Sequence, residues 1–356
     1  MSVPSITART LACAALLGLA AGCSTDTSEQ SALAPAGSQS QAVHELWVWM
    51  AVVGAVVWAI VVVLMFVALA RRGHGEADAT AEDSAGRRAA MTGRPVAAVA
   101  VAGALIPAII VGVIAVMAIS VQRETDHSAE GGAPIAEVVG HQFWWEVSYP
   151  DHDVTSANEI HIPVGERVRI ELSSADVIHS LWVPELGGKV DMIPGRSNPL
   201  WLEADEPGVY WGQCAEYCGA QHARMRFVVV AHEQAELDAW LRDRDEGSDE
   251  VSDEVPTSEL EGDALVERGR EVFMSSSCVY CHAVQGTAAT GQTAPDLTHV
   301  GSRLGLAAGI LPNDTESLTA WITDPQSIKP GSLMPGTDFD DPSEVDAIVA
   351  YLESLE

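Results

Sequence analysis

Two long apolar stretches near the N-terminus predict a pair of membrane-spanning helices. Residues 46–70 and 95–121 carry no charged side chain, and each exceeds the ~20 apolar residues needed to cross a hydrocarbon core. The arginines near these stretches are concentrated between them, at Arg71, Arg72, Arg87, Arg88 and Arg94. By the positive-inside rule, both ends of the hairpin lie outside the cell. We predict helices at 43–70 and 95–121, joined by a cytoplasmic loop at 71–94.

After residue 135 the pattern changes to short strands. Val168, Ile170 and Leu172 alternate with polar residues, which is the period of two expected of a half-buried strand. Another β-rich run follows at 227–231, and Gly and Pro turns separate such runs. This pattern favours a β-sandwich at residues 135–232.

The C-terminal part returns to a helical period. Apolar residues at 265, 266, 272 and 273 share one helix face, and Ser343-Glu-Val-Asp346 is a plausible cap for a last helix. These features predict a small all-α domain at 258–356. An acidic, Ser-rich and Pro-containing segment precedes it, so we predict a solvated linker at 233–257. Its first part, 232–244, has the spacing of a short amphipathic helix.

The first 42 residues have the features of an exported and anchored protein. Arg9 precedes a short apolar run, which is typical of a signal peptide at residues 1–22. The sequence Leu-Ala-Ala-Gly-Cys at 19–23 resembles a bacterial lipobox, which implies acylation of Cys23; ordinary secretion is the alternative. Residues 23–42 are polar and lack periodicity, so we predict a flexible, disordered tether.

The charge balance excludes one class of partner. With 19 basic and 50 acidic residues, the chain lacks the cations that bind phosphate backbones, so we expect no nucleic-acid partner. An acidic excess attracts basic proteins but also simply aids solubility. Both interpretations stay open from the sequence.

One short segment collects ligands for a soft metal. Cys214, Cys218, His222 and Met225 lie within twelve positions, and thiolate, imidazole and thioether groups together select copper. A mononuclear blue-copper site needs a single Cys, whereas two sulfurs bridging two coppers would use both thiolates. His179, in a strand-like stretch upstream, offers the second imidazole. A structural disulfide is the alternative, although it would not need the histidine and methionine.

A second redox motif lies in the predicted helical domain. The sequence Cys-Val-Tyr-Cys-His at 278–282 is the attachment motif of c-type haem. Its haem-bonding thiols and iron ligand are Cys278, Cys281 and His282. We predict Met334 as the second iron ligand, since thioether ligation raises the reduction potential; Met274 and His299 are alternatives. Zinc is disfavoured because no second Cys/His pair follows at finger spacing.

The copper loop and the sequence His-Ser-Leu-Trp-Val-Pro at 179–184 resemble subunit II of the haem-copper cytochrome c oxidases. The resemblance implies a cupredoxin-like Greek-key sandwich and a binuclear copper centre. It implies bridging by Cys214 and Cys218, terminal ligation by His179 and His222, and weak ligation by Met225 and the Glu216 carbonyl. The Glu216 side chain would then face a magnesium ion shared with the catalytic subunit.

The same resemblance assigns an electron-accepting patch to the sequence Gly-His-Gln-Phe-Trp-Trp-Glu at 140–146. Phe143 occupies the position where many relatives have a Trp, so Trp144 or Trp145 would take over that role, or the patch would serve only for docking. A second departure lies at 94–100, where no Glu stands at the start of the second helix. The C-terminal domain resembles class I cytochromes c, in which Gly269 would allow two helices to cross closely.

The sequence therefore predicts a multi-domain membrane protein with a two-helix transmembrane hairpin, a cupredoxin-like sandwich and an all-α class I cytochrome c domain. The resemblance implies an electron-transferring oxidase subunit in a bacterial plasma membrane, with its redox domains on the outer face. Expected partners are catalytic subunit I, subunit III, membrane lipid, and cytochrome c or the quinol–cytochrome c reductase complex as donor. A copper-containing nitric oxide reductase and a non-catalytic copper-binding assembly protein are the alternatives.

Overall fold

The structure is a computed structural model that describes residues 30–72, 94–126, 132–246, 262–337, 339 and 341–356. The predicted signal peptide, Cys23, most of the cytoplasmic loop and part of the linker lie outside these residues. Two long helices, α1 (Ser38–Arg72) and α2 (Arg94–Glu124), contain the predicted transmembrane stretches. Both are long and apolar enough to cross a membrane, with mean hydropathies of 3.0 and 2.7. Their large apolar side chains are exposed, as lipid-facing residues would be.

Ten strands form the sandwich. They are β1 (Ala136–His141), β2 (Trp144–Tyr149), β3 (Val154–Ala157), β4 (Glu159–Pro163), β5 (Val168–Ser174), β6 (His179–Trp182), β7 (Val190–Met192), β8 (Asn198–Leu202), β9 (Gly208–Cys214) and β10 (Arg226–His232). One sheet has the order β3-β2-β1-β5-β8 and the other β4-β10-β9-β6-β7. The pairs β1/β5 and β4/β10 are parallel, and the remaining neighbours are antiparallel.

Alternation along the strands builds one core between the two sheets. In β5 the predicted residues Val168, Ile170 and Leu172 are buried and their neighbours are not. β2 follows the same rule, so Trp145 is fully buried while Trp144 is only partly covered. The core continues into the copper-loop residues, since Cys214, Cys218 and Met225 belong to the same apolar cluster.

Residues 30–41 correct the predicted tether. The backbone there pairs with the sandwich, because Ala36 N donates to Glu185 O and Asp205 N donates to Ala36 O. Gln39 is 2% exposed, and its Nε2 donates to Trp201 O at 2.8 Å. The prediction of a disordered tether over 23–42 is therefore wrong for 30–42, where α1 begins at 38 and the preceding turn docks on the sandwich. The polar composition of this segment suggested disorder, but its polar side chains form hydrogen bonds to the backbone of the sandwich.

Helix α3 (Gln234–Glu246) shortens the predicted linker at its start. Its apolar residues Leu237 and Leu241 are buried in the sandwich core, and Trp240 stacks on His161 with ring centroids 3.8 Å apart. Residues 234–246 are thus part of the packed sandwich and not of a linker that starts at 233. The rest of that segment, 247–261, lies outside the described residues.

The cytochrome domain is helical around a second core. It contains α4 (Gly262–Ser275), α5 (Thr315–Thr323), α6 (Pro325–Ile328) and α7 (Pro342–Glu353), plus the short pair β11 (Gly305–Leu306) and β12 (Leu311–Pro312). Helices α4 and α7 cross at Gly269, where an added Cβ would lie 1.9 Å from Ala347 O. This confirms the predicted close approach. Phe273, Ile348 and their neighbours fill the core.

Candidate metal and haem sites

Six donor atoms converge at one end of the sandwich. Cys214 Sγ lies 3.8 Å from Cys218 Sγ, 3.9 Å from His179 Nδ1 and 3.2 Å from Glu216 O. Cys218 Sγ lies 3.8 Å from both His222 Nδ1 and Met225 Sδ. Because a disulfide needs sulfurs ~2.05 Å apart, the two thiols are free. Two central sulfurs with one nitrogen and one weaker donor on each side suit two copper ions.

Three neighbouring strands position this donor set. β6 begins at His179 and pairs with β9, with Leu181 opposite Cys214, the last residue of β9. The chain then turns at Gly219, whose φ of 132° is a conformation that other residues rarely adopt. A short 3₁₀ turn at His222–Arg224 follows, and β10 begins just after Met225. The site is therefore fixed by strand ends on a rigid sheet.

The buried thiols are electrostatically coupled. A hydrogen bond from the Cys218 thiol, together with one from His179, lowers the pKa of Cys214 despite the opposing effect of burial. The resulting thiolate raises the pKa of Cys218, and burial acts in the same direction. One thiolate is thus already favoured, and a cation that binds both sulfurs would displace the remaining proton.

Two residues outside the donor set hold it in place. Asp176 Oδ1 lies 2.8 Å from His179 Nε2, and its other oxygen accepts from Gln142 N. Burial alone raises the pKa of Asp176, but hydrogen bonds from His179 and two backbone amides outweigh it and lower that pKa. Gln142 Nε2 donates to Cys218 O at 2.5 Å. Sequence reasoning missed both residues, although an acid three positions before a ligand histidine was a usable signal.

The haem motif lines a largely apolar cavity. Cys278, Cys281, His282 and Met334 all border it. His282 Nδ1 lies 2.7 Å from Pro295 O, so that nitrogen carries the proton and leaves Nε2 free to bind a metal. His299 Nδ1 instead bonds to Glu356 O, and Met274 packs at the edge of the core. The cavity lining thus favours Met334 over both alternatives.

Arg303 adds a buried cation to this cavity. It is 7% exposed, its guanidinium donates to Asp296 O, and burial lowers its pKa. Among the described residues its Nε has no hydrogen-bond partner. A buried cation with an unused donor fits the carboxylate groups of a haem. The ligands, the apolar lining and the buried cation of the cavity therefore suit haem c.

The predicted electron-accepting residues divide into two groups. Phe143 and Trp144 border the haem cavity, whereas Trp145 does not and lies with its ring 5.8 Å from the His179 ring. Trp144 also stacks on His141 at 4.3 Å. Trp144 therefore lies on the haem side and Trp145 on the copper side. Phe143 lies between them, since its ring also lies next to Gly219 in the copper-ligand loop and belongs to the sandwich core.

The predicted magnesium ligand has a different neighbour in this chain. Glu216 Oε2 lies 3.4 Å from Lys189 Nζ, which also contacts Asp191 Oδ1 at 3.1 Å. Both carboxylates are about half exposed. The pairing does not involve the Glu216 carbonyl, which remains next to Cys214 Sγ.

Comparison with known proteins identifies a family for each of the two redox domains. Residues 154–232 match the family described as cytochrome c oxidase subunit II, periplasmic domain, and residues 266–356 match cytochrome c. Cytochrome c oxidase subunit 2 of Alkalihalophilus pseudofirmus is 39% identical over 332 residues, covering 91% of this chain and 90% of the relative. The same subunit of Bacillus subtilis is 35% identical and covers 63% and 62%. A solved periplasmic domain of subunit II from Bradyrhizobium japonicum is 31% identical, with a TM-score of 0.31, covering 33% and 96%.

The two family matches and the described structure confirm the predicted fold class, with two apolar helices, a cupredoxin-like sandwich and a helical cytochrome c domain. The family matches and the long match to a subunit 2 also imply copper and haem as cofactors and other oxidase subunits as partners. The long match spans the hairpin and both redox domains. The chain belongs to the cytochrome c oxidase subunit II family.

Proposed function

We propose that this chain accepts electrons at a haem c in its C-terminal domain and passes them through a binuclear copper centre to the oxygen-reducing catalytic subunit. One observation carries this proposal. The haem cavity is bordered by Gln142, Phe143 and Trp144, and the Gln142 side chain bonds directly to Cys218 O. The turn between β1 and β2 therefore contacts both the haem cavity and the copper-ligand loop.

Each site is assigned its own residues. The copper ligands are His179, Cys214, the Glu216 carbonyl, Cys218, His222 and Met225. The haem-bonding residues are Cys278 and Cys281, with His282 and Met334 as iron ligands. When bound, these groups supply one-electron carriers, and the protein's part is to hold the donors still and exclude water.

Phe143 and Trp144 provide the apolar contact between the two sites, and Trp145 packs against a copper ligand from the core side. We propose that they keep water out of the gap. The Glu216 side chain is proposed to contribute to a magnesium site with the catalytic subunit, at the cost of its contact with Lys189.

The remaining proposals concern processing, membrane location, domain bounds and partner proteins. We propose removal of residues 1–22, acylation of Cys23, and a bacterial plasma-membrane hairpin whose redox domains lie on the outer face. The domains are then residues 43–70 and 95–121 for the spans, 135–232 for copper and 258–356 for haem. The proposed partners are catalytic subunit I, which would reduce oxygen and translocate protons, and subunit III. A cytochrome c or the quinol–cytochrome c reductase complex is the proposed donor.

The proposal is tested on the purified oxidase complex by metal analysis, electron paramagnetic resonance and haem spectroscopy. We expect two coppers with a delocalised mixed-valence signal and one covalent haem per chain. His222→Ala should abolish that copper signal and leave the haem band intact. His152→Ala, a partly exposed histidine of the same sandwich that pairs with Asp245, is the matched control and should change neither.

Two results would reject the proposal. A single zinc, or an oxidised Cys214–Cys218 bond in fresh material, would remove the binuclear centre. Turnover of nitric oxide without turnover of oxygen would assign the chain to a reductase of the same superfamily instead.

A further inference from the structure

The cytochrome domain is docked on the loop that carries the copper ligands. Gln221 Nε2 donates to Pro330 O at 2.6 Å, and the Arg224 guanidinium donates to Ile328 O. These two donors lie on either side of the copper ligand His222. The acceptors, Ile328 and Pro330, belong to the segment that precedes the proposed iron ligand Met334. The two ligand loops are therefore in direct contact.

A buried lysine lies at the centre of this contact. Lys329, one of only two lysines in the chain, is 2% exposed. Its Nζ donates to Phe143 O and to Ala307 O, both at 2.9 Å. One bond therefore crosses to the sandwich, and the other stays within the cytochrome domain.

Placing an ammonium group there is costly. Lysines are almost never fully buried unless they are paired, and burial lowers the pKa of Lys329 to about 7. No carboxylate is bonded to its Nζ among the described residues; the acceptors are two backbone carbonyls. A leucine or methionine would fill the same space at less cost, so packing alone does not explain a lysine at this position.

Through its hydrogen bonds to the Phe143 and Ala307 carbonyls, Lys329 connects the sandwich turn at Gln142 and Phe143 to the loop that carries Met334. Phe143 borders the haem cavity, and its neighbour Gln142 holds the Cys218 carbonyl. On the other side, Gln326 ties the Lys329–Met334 loop together, since its side chain accepts from Gly331 N and donates to Met334 O, each at 2.9 Å. A shift at Lys329 would therefore move both the sandwich edge and the proposed iron-ligand loop.

We propose that Lys329 is a positioning residue that fixes the haem-ligand loop against the copper-ligand loop in the geometry used for electron transfer between them. This inference rests on the proposed function, since it presumes that both cofactors are present. It assigns Lys329 no contact with either metal.

The test compares Lys329→Met with the wild type in the purified oxidase complex. Haem c is reduced by a light-triggered reductant, and the arrival of the electron at copper is followed by absorbance. Because electron transfer slows as the distance between donor and acceptor grows, we expect haem-to-copper transfer to slow severalfold in Lys329→Met. The haem band, the copper signal and the KM for soluble reduced cytochrome c should stay unchanged, while kcat falls.

Arg268→Met is the matched control. It removes one positive charge from the same domain, where Arg268 pairs with Glu271 and Glu344 away from the contact, and should leave the transfer rate unchanged. Lys329→Arg keeps a donor and should recover part of the rate. If Lys329→Met does not assemble, Lys329→Gln, which keeps an amide donor, replaces it with an intermediate rate expected.

The experiment distinguishes failure of the proposed function from failure of the positioning role of Lys329. If the wild-type complex shows no haem-to-copper transfer, the proposed function fails. If the wild type transfers electrons and an assembled Lys329→Met or Lys329→Gln variant does so at the same rate, the positioning role of Lys329 is refuted.

Discussion

Replacing Gly269 by alanine should destabilise the cytochrome domain and leave the copper domain folded. Gly269 lies in α4 where that helix crosses α7. A Cβ at this position would lie 1.9 Å from Ala347 O and 2.8 Å from Tyr351 Cβ, whereas real Cβ contacts essentially never fall below 3.0 Å. The nearest obstacle is a backbone carbonyl, which cannot rotate away. The two helices must therefore separate by roughly the missing ångström.

The size of the effect follows from two opposing contributions. Alanine is favoured over glycine in a helix by about 1 kcal/mol. Overpacking a core typically costs ~1–3 kcal/mol and sometimes more, and a rigid backbone obstacle places this site at the upper end or beyond. We expect a net loss of about 2 kcal/mol in the free energy of unfolding. For a domain of this size, that loss lowers the melting temperature by roughly 8–16 °C, at ~4–8 °C per kcal/mol.

The measurement is thermal melting of the purified complex, recorded at the haem band for the cytochrome domain and at the copper band for the sandwich. Only the haem transition should move to lower temperature. Glu267→Ala is the control, because Glu267 pairs with Arg270 on the exposed side of the same helix. A haem transition at or above the wild-type temperature in Gly269→Ala would refute the proposed tight crossing.

Three further outcomes follow from individual contacts. Asp176→Ala should weaken copper binding by ~10–100-fold in a titration with competing chelator, because the hydrogen bond that orients a ligand histidine is lost; unchanged affinity would contradict that role. Burial lowers the pKa of both His161 and His232, so they are neutral when folded. The unfolded chain gains protons below about pH 6.5, so the melting temperature should fall as pH drops from 7 to 5, and less so in His232→Asn. Met334→Leu should lower the haem reduction potential in a redox titration, and Met274→Leu should leave it unchanged.

The ligands could be predicted because their chemistry is local. Five of the six proposed donors lie within residues 214–225, and the haem motif occupies five consecutive positions. Soft ligands at fixed spacing indicate a metal site whatever the surrounding fold. The two transmembrane helices could also be predicted from the sequence, since a helix of a soluble protein seldom runs for 25 residues without a charged side chain. The close approach at Gly269 was predicted differently, from the resemblance of the C-terminal domain to class I cytochromes c.

The supporting residues could not be predicted, because each acts on a partner far away in the chain. Gln39 bonds to Trp201, Gln142 to Cys218, and Lys329 to Phe143 across 186 positions. Nothing in a polar tether reveals that it folds back on a sandwich edge. Amino-acid composition predicts the local conformation of a segment, whereas these hydrogen bonds form only when distant parts of the chain come together in the fold.

The copper-ligand loop is held from two directions, and this changes what the covalent connection between the redox domains accomplishes. On one side, Gln142 and Asp176 fix it to the sandwich; on the other, Gln221 and Arg224 bind the cytochrome domain. A flexible linker alone would only raise the local concentration of the electron donor. A docked domain whose contact lies beside the ligands also fixes distance and limits reorganisation when the charge moves. Under the proposed function, the fused architecture would therefore serve as one rigid electron path and not as two carriers that meet by diffusion.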